Sequence, residues 1–160
     1  MISPREQSDE QLLADCRTEA FRGPGPGGQK RNKTSSAVRV THVPTGLSAI
    51  AGESRSQHRN KTMAIWRLRH KIALEVREKI DLTRLPWPAV VEVSRRAEEY
   101  PAAVGLMVDV LEHVGWSVSE AGKMLGVSTG KLVDFLSADS LLWAEVNRQR
   151  QRAGLRGLNA

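Results

Sequence analysis

Little in these 160 residues can hold the chain together covalently or carry it into lipid. There is one cysteine, Cys16, so no internal disulfide can form and a reducing compartment is the default expectation. Cys16 lies in a stretch that alternates apolar and polar residues, and reads as a small packed hydrophobe. No uncharged apolar run approaches the roughly 20 residues of a spanning helix, so no membrane partner is expected. The first residues, MISPREQSDEQ, lack the apolar core of a secretory leader and are too acidic for a transit peptide, which predicts a cytoplasmic protein. No His/Cys/carboxylate cluster has metal-ligand spacing, so neither a metal nor another cofactor is expected.

What the chain does have is segregated charge. Net charge is +6. Residues 17–79 hold 14 Lys and Arg against 4 Asp and Glu, whereas residues 80–147 hold 5 against 10. Residues 148–160 add four Arg and no acid. Such an arrangement predicts one polyanion-binding face and a short basic tail, not a uniformly basic coat.

The apolar spacing predicts an α+β protein. SDEQLLAD reads as a helical turn or two opened by Ser8, and CRTEAF as a weak strand. SAVRVTHV and LSAIAG, separated by the turn Pro44–Gly46, read as a β-hairpin. Met63, Trp66, Leu68, Ile72 and Val76 predict a long helix from about Asn60 to Ile80. Ser56, Gln57, His58 and Asn60 are expected to cap and orient its start, with contact to RNA as a second role. His42 reads as a packing or hydrogen-bonding residue within a strand, not as a general base.

After Pro86 and Pro88 the composition changes, and four or five shorter helices are expected, one of them from AVVEVSRRAEEY. The three expected parts are residues 1–80, an acidic helical bundle over 81–147, and a disordered basic tail over 148–160. Within the bundle, SVSEAGKMLGVSTGKLVDFL resembles a helix-turn-helix. Gly122 stands at the small-residue position, Gly126 and Val127 form the turn, and Ser128 caps the second helix. A DNA-binding regulator is therefore a rival reading, opposed by the acidic balance of the region. Trp66, Trp87, Trp116 and Trp143 are expected as core or interface anchors.

The most unusual stretch is GPGPGGQKRNKTSS, Gly23 to Ser36. It is not a P-loop, because no Gly-Lys-Ser/Thr closes its glycines. Gly23, Gly25 and Gly28 match the bare G-x-G-x-x-G spacing, but Pro24 and Pro26 remove N–H donors and a strand follows where a helix should. A plain linker stays open as an alternative.

GPGGQKRNKTSSAVRVTHVPTG, followed by RSQHRNK, resembles the catalytic domain of class I peptide chain release factors and their ribosome-rescue relatives. Three separated blocks occur in order, and the resemblance covers roughly residues 16–78. It implies a small antiparallel sheet packed on the long helix, with the C-terminal helical region following. It also implies ribosome-dependent hydrolysis of the ester between nascent peptide and transfer RNA. Gly27 and Gly28, lacking Cβ, would let the backbone approach RNA closely. The Gln29 main-chain N–H would donate to the oxygen that gains negative charge, and its side chain would position water. Lys30, Arg31, Lys33, Arg55, Arg59 and Lys61 would meet ribosomal or transfer-RNA phosphates.

By the same resemblance, Arg148, Arg150 and Arg152, with Arg156, would enter the empty messenger channel. The expected partners are the ribosome, with its large-subunit RNA and peptidyl-tRNA, and a glutamine methyltransferase acting on Gln29; the protein is expected to act as a monomer. Two positions depart from the family pattern: Pro24 stands where Ser is usual and Arg31 where Val is usual. Because few residues precede the catalytic block, a codon-independent, rescue-type factor is expected, with a non-catalytic ribosome-binding adaptor as the other alternative.

Overall fold

The computed structural model describes residues 2–22, 36–83 and 89–159. Helix α1 (Asp9–Ala14) begins at Ser8, whose side chain accepts from the Gln11 N–H while the Gln11 side chain reaches back to the Ser8 N–H. This capping box satisfies donors that a short helix cannot satisfy alone. Strands β1 (Cys16–Phe21), β2 (Ala37–His42) and β3 (Ser48–Ala51) form an antiparallel sheet in the order β1-β2-β3. The register runs from Cys16 opposite His42 to Phe21 opposite Ala37, and from Thr41 opposite Ser48 to Val38 opposite Ala51. The β2–β3 turn closes with Gly46 at φ 72°, a conformation that favours glycine, and its N–H donates to His42 at 2.8 Å. His42 is buried, with Nδ1 2.8 Å from the Thr45 hydroxyl.

Helix α2 (Gln57–Glu75) lies against this sheet. Its buried stripe is Ala64, Ile65, Leu68 and Ile72, while Met63 and Trp66 are only half-buried. The long helix therefore exists, and of its expected core residues Leu68 and Ile72 are buried while Met63, Trp66 and Val76 are not. Arg67 and Lys71, one turn apart, donate to the Ile50 and Ser48 carbonyls at 2.8 and 3.1 Å. Those carbonyls are two residues apart and share an edge of β3, so α2 covers an edge that would otherwise invite another strand.

The helix starts three residues before the expected Asn60 because the Ser56 hydroxyl accepts from the Arg59 N–H at 3.3 Å. It stops at Glu75, not Ile80, because the groups that would extend it are taken. The Arg77 guanidinium donates to the Leu74 carbonyl, and the Glu78 N–H donates to the Asp109 carboxylate at 3.1 Å.

Compact units divide the chain at Met1–Ile72 and Ala73–Ala160, inside α2, where the sequence had suggested residue 80. The second unit contains a 3-10 turn (Ala89–Glu92) and helices α3 (Tyr100–His113), α4 (Val118–Leu125), α5 (Thr129–Ser137) and α6 (Ser140–Arg152). The helix expected from AVVEVSRRAEEY is replaced by that 3-10 turn and further turns. Ser94 causes this: its hydroxyl accepts from Arg96 N–H and its carbonyl from Ala97 N–H, competing with a helical ladder. Val104, Met107, Val108 and Leu111 of α3 are fully buried with Leu125, Leu132, Leu136 and Leu142 of the later helices. Each such side chain contributes roughly 1.5–3 kcal/mol relative to exposure. Tyr100 donates to Asp139 at 2.8 Å, and burial followed by that bond pushes its hydroxyl above the usual tyrosine range.

Candidate functional site

The residues that carry the expected chemistry, Gly27, Gly28 and Gln29, lie outside the described residues, as do Lys30, Arg31, Lys33 and Pro24. The two places where this segment joins the sheet are well defined. Phe21 pairs with Ala37, so the chain leaves β1 and re-enters β2 at directly opposed positions. A connection this long between neighbouring strands is usually functional, since a turn of two to five residues would suffice structurally.

The leaving side is fixed by Arg39 on β2. Its guanidinium lies 5.0 Å from the centroid of the Phe21 ring and 3.7 Å from Glu19, which also pairs with Arg17 at 3.4 Å. The re-entering side is fixed by Asn60. Its Nδ2 donates to the Ser36 carbonyl at 2.6 Å and to the Ser54 carbonyl at 2.8 Å, and its Oδ1 accepts from the Ser54 N–H at 3.0 Å. Asn60 has no exposed surface, so the second role expected for it, contact with RNA, does not fit its position. Its polarity at a helical position reads as surface in a sequence, and nothing in the spacing signals the burial.

Arg55, Arg59 and Lys61 surround this root. Arg55 and Arg59 are exposed at the turn and first turn of α2, and Lys61 is half-exposed. Among the described residues none of the three has an ion-pair partner. Further along the helix the cations are engaged. Arg67 pairs with Glu53, and that hydrogen bond, helped by the Gly52 N–H, holds the Glu53 carboxyl down to about 2. Arg69 donates to Asp9 at 2.7 Å and to the Gln7 carbonyl at 2.8 Å. Among the described residues of this unit, Arg55, Arg59 and Lys61 thus gather at the start of α2, whose Asn60 reaches Ser36, and exposed Arg22 follows the other strand end. Cys16 is half-buried and its thiol is pushed up by burial and by Asp15, as suits a packed residue rather than a nucleophile.

The second basic group is arranged differently from the expected free tail. Arg148, Arg150 and Arg152 lie on the last turns of α6, which continues through Arg152. Arg148 pairs with the buried Glu145, and Arg150 donates to the Trp116 and Arg156 carbonyls at 2.5 and 2.9 Å. Leu155 N–H returns to the Arg150 carbonyl at 2.8 Å, and Leu158 N–H donates to Asn147 at 2.7 Å. The expectation of disorder from residue 148 is corrected: the segment folds back on α6 because its polar groups find partners there. Arg148 and Arg152 are exposed and Arg150 is half-buried.

The helix-turn-helix geometry of the second unit matches the sequence reading closely. Gly126 ends α4 at φ 66°, Ser128 caps α5 by accepting from the Lys131 N–H, and a Cβ on Gly122 would meet the Val127 carbonyl at 2.9 Å. The exposed positions of α5 are Thr129, Gly130, Lys131 and Asp134, a surface without a net positive field.

Comparison with known proteins places this arrangement in a class. The family model of the RF-1 domain matches residues 10–91, and the chain belongs to that family. Over 131 residues it is 34% identical to peptide chain release factor 1 of Frankia casuarinae, covering 79% of this chain and 36% of that protein. Over 115 residues it is 43% identical to peptide chain release factor 1 of Methylibium petroleiphilum, covering 68% and 32% respectively. A shorter stretch of 58 residues is 52% identical to the Syntrophobacter fumaroxidans protein of the same name. The chain thus spans about a third of the length of the first two of these relatives.

Proposed function

We propose that this chain hydrolyses the ester of peptidyl-tRNA on the ribosome and releases the nascent peptide without reading a stop codon. The observation that carries the reading is the Gly27-Gly28-Gln29 triplet, set between two opposed strand ends in a chain of the RF-1 domain family. Relatives named peptide chain release factor 1 support the reaction class. Gln29 donates its main-chain N–H to the oxygen that becomes negative as water attacks, and its side-chain amide holds that water. Arg55, Arg59 and Lys61, with Lys30, Arg31 and Lys33, meet RNA phosphates and set the salt dependence of binding. Gln29 is also the residue that a glutamine methyltransferase would modify.

Codon independence is the finer part of the proposal. It is supported by the charge of the helical region: residues 80–147 hold 5 Lys and Arg against 10 Asp and Glu, an unsuitable surface for reading messenger RNA. The test is a release assay with the 160-residue chain on ribosomes whose A site holds no codon, a sense codon or a stop codon. Equal release in all three supports the proposal, and release confined to stop codons overturns its codon-independent part.

The helix-turn-helix geometry around Gly122 and Ser128 favours a second reading, a duplex-binding regulator. That reading requires tight, salt-resistant preference for one duplex and indifference to Gln29→Ala.

A further inference from the structure

We propose that Asn60 is a positioning residue for hydrolysis, which rests on the proposed function above: it fixes the strand end from which the Gly-Gly-Gln segment is suspended. Asparagine is a poor helix former and costly to bury, so a fully buried Asn in the first turns of α2 needs a compensating role. Its side chain is fully used. Both amide hydrogens and the carbonyl oxygen are engaged at 2.6, 2.8 and 3.0 Å.

Two of those bonds are local, closing the turn at Ser54. The third is not: it crosses to Ser36, 24 positions earlier in sequence and the first described residue after the segment that holds Gln29. A residue needed only to cap α2 has no reason to reach Ser36, and Ser56 already supplies the cap.

The same strand end is pressed from a second side. A Cβ on Gly52 would meet the Ala37 Cβ at 3.1 Å, tighter than ordinary packing allows. Ser36 and Ala37 are thus held by a hydrogen bond from Asn60 and by close contact with Gly52. Across the register, Phe21 is held beneath Arg39. Both ends of the connection are therefore anchored in the described fold. Gln29 lies seven residues before Ser36 in the sequence, and the proposal is that a shift of this root lowers the rate of the reaction Gln29 serves.

A misplacement of about 1 Å at a reacting centre costs on the order of 10²-fold in rate. Asn60→Ala and Asn60→Asp should both lower the single-turnover release rate at saturating ribosomes by about 10–100-fold. The concentration giving half-maximal release should stay within about threefold, because the phosphate-binding cations are untouched. Asn60→Asp keeps the acceptor for Ser54 but loses both donors, so it should not rescue.

A second readout needs no ribosome. Trypsin should cleave after Lys30, Arg31 or Lys33 faster in Asn60→Ala than in wild type, while cleavage after Arg67 and Arg69 within α2 stays slow. Gly52→Ala approaches the same root from the other side and should show the same pattern more weakly, which keeps the proposal testable if Asn60→Ala does not fold.

Wild-type rate and wild-type cleavage in a folded Asn60→Ala, or in Gly52→Ala where Asn60→Ala does not fold, would overturn the proposal. Cleavage rising equally at Arg67 would do the same, since that reports loss of the whole unit. Gln29→Ala separates the two levels. If Gln29→Ala is inactive while Asn60→Ala is wild type, only the positioning role falls; if Gln29→Ala releases normally, the hydrolytic reading falls and the positioning role with it.

Discussion

The two compact units of this chain solve opposite problems. In the first, a sheet with a short edge strand and one long helix keep β1 and β2 together although the chain between them is long. It does so with polar contacts at specific points: Asn60 on Ser36, Arg67 on Ile50, Lys71 on Ser48, Arg39 over Phe21. In the second, helices adjacent in sequence pack through fully buried apolar side chains and end in local caps at Ser117, Ser128 and Asp139. The difference teaches where chemistry is placed. The unit whose polar contacts hold the two strand ends of a long connection is the one matched by the RF-1 domain over most of its length, and the one whose sequence holds the Gly-Gly-Gln triplet.

The comparison can be broken at either unit. The largest expected effect is on the first: Gln29→Pro removes the proposed main-chain donor and should lower the release rate by about 10²–10³-fold, measured in single-turnover release of a labelled peptide. Leu136→Ala in the second unit truncates a fully buried side chain and should cost about 2–5 kcal/mol in urea unfolding followed by circular dichroism. Gly122→Ala should cost about 1–3 kcal/mol, because the new Cβ meets a backbone carbonyl that cannot swing aside. Ser128→Ala should cost about 1 kcal/mol by losing the α5 cap, and Ser128→Asp should recover most of it. A Gly122→Ala no less stable than wild type would show the α4–α5 turn to be looser than drawn.

The smallest effect sharpens the electrostatic side. Glu53 is held down to about 2 chiefly by its hydrogen bond with Arg67. Its folded value lies below the unfolded one, so the stabilisation is present above about pH 4.5 and is lost as pH falls toward about 2. Because Glu53 is exposed, solvent screens the pair and the loss should be slight. Comparing wild type with Glu53→Gln in melting temperature between pH 5 and pH 2.5 measures it: the two curves should converge at the acid end.

Much of this was legible before any coordinates. Ser8, the turn at Pro44–Gly46, and Gly122 with Gly126 and Ser128 are local signals, each set by a capping side chain or a backbone conformation within a few residues. The misses have causes that apolar spacing does not carry. The end of α2 is decided by Asp109, far along the chain, which takes the Glu78 N–H. The helix expected after residue 89 is undone by Ser94, a turn-forming hydroxyl whose competition is invisible to apolar spacing. The fold-back after Arg152 depends on Asn147 accepting from Leu158. At the candidate site, the exposed cations at the start of α2 were readable from composition. The burial of Asn60 was not, because a polar residue at that position is ordinarily solvated.

The central claim is that a main-chain amide, carried between two anchored strand ends, acts on an ester that the ribosome presents. The most direct measurement is single-turnover release from ribosomes with peptidyl-tRNA in the P site and an empty A site, comparing the wild-type chain with Gln29→Ala at matched ribosome occupancy. The account predicts peptide release by the wild-type chain and little or none by the variant. Binding without release by the wild-type chain, or equal release by both, would contradict it.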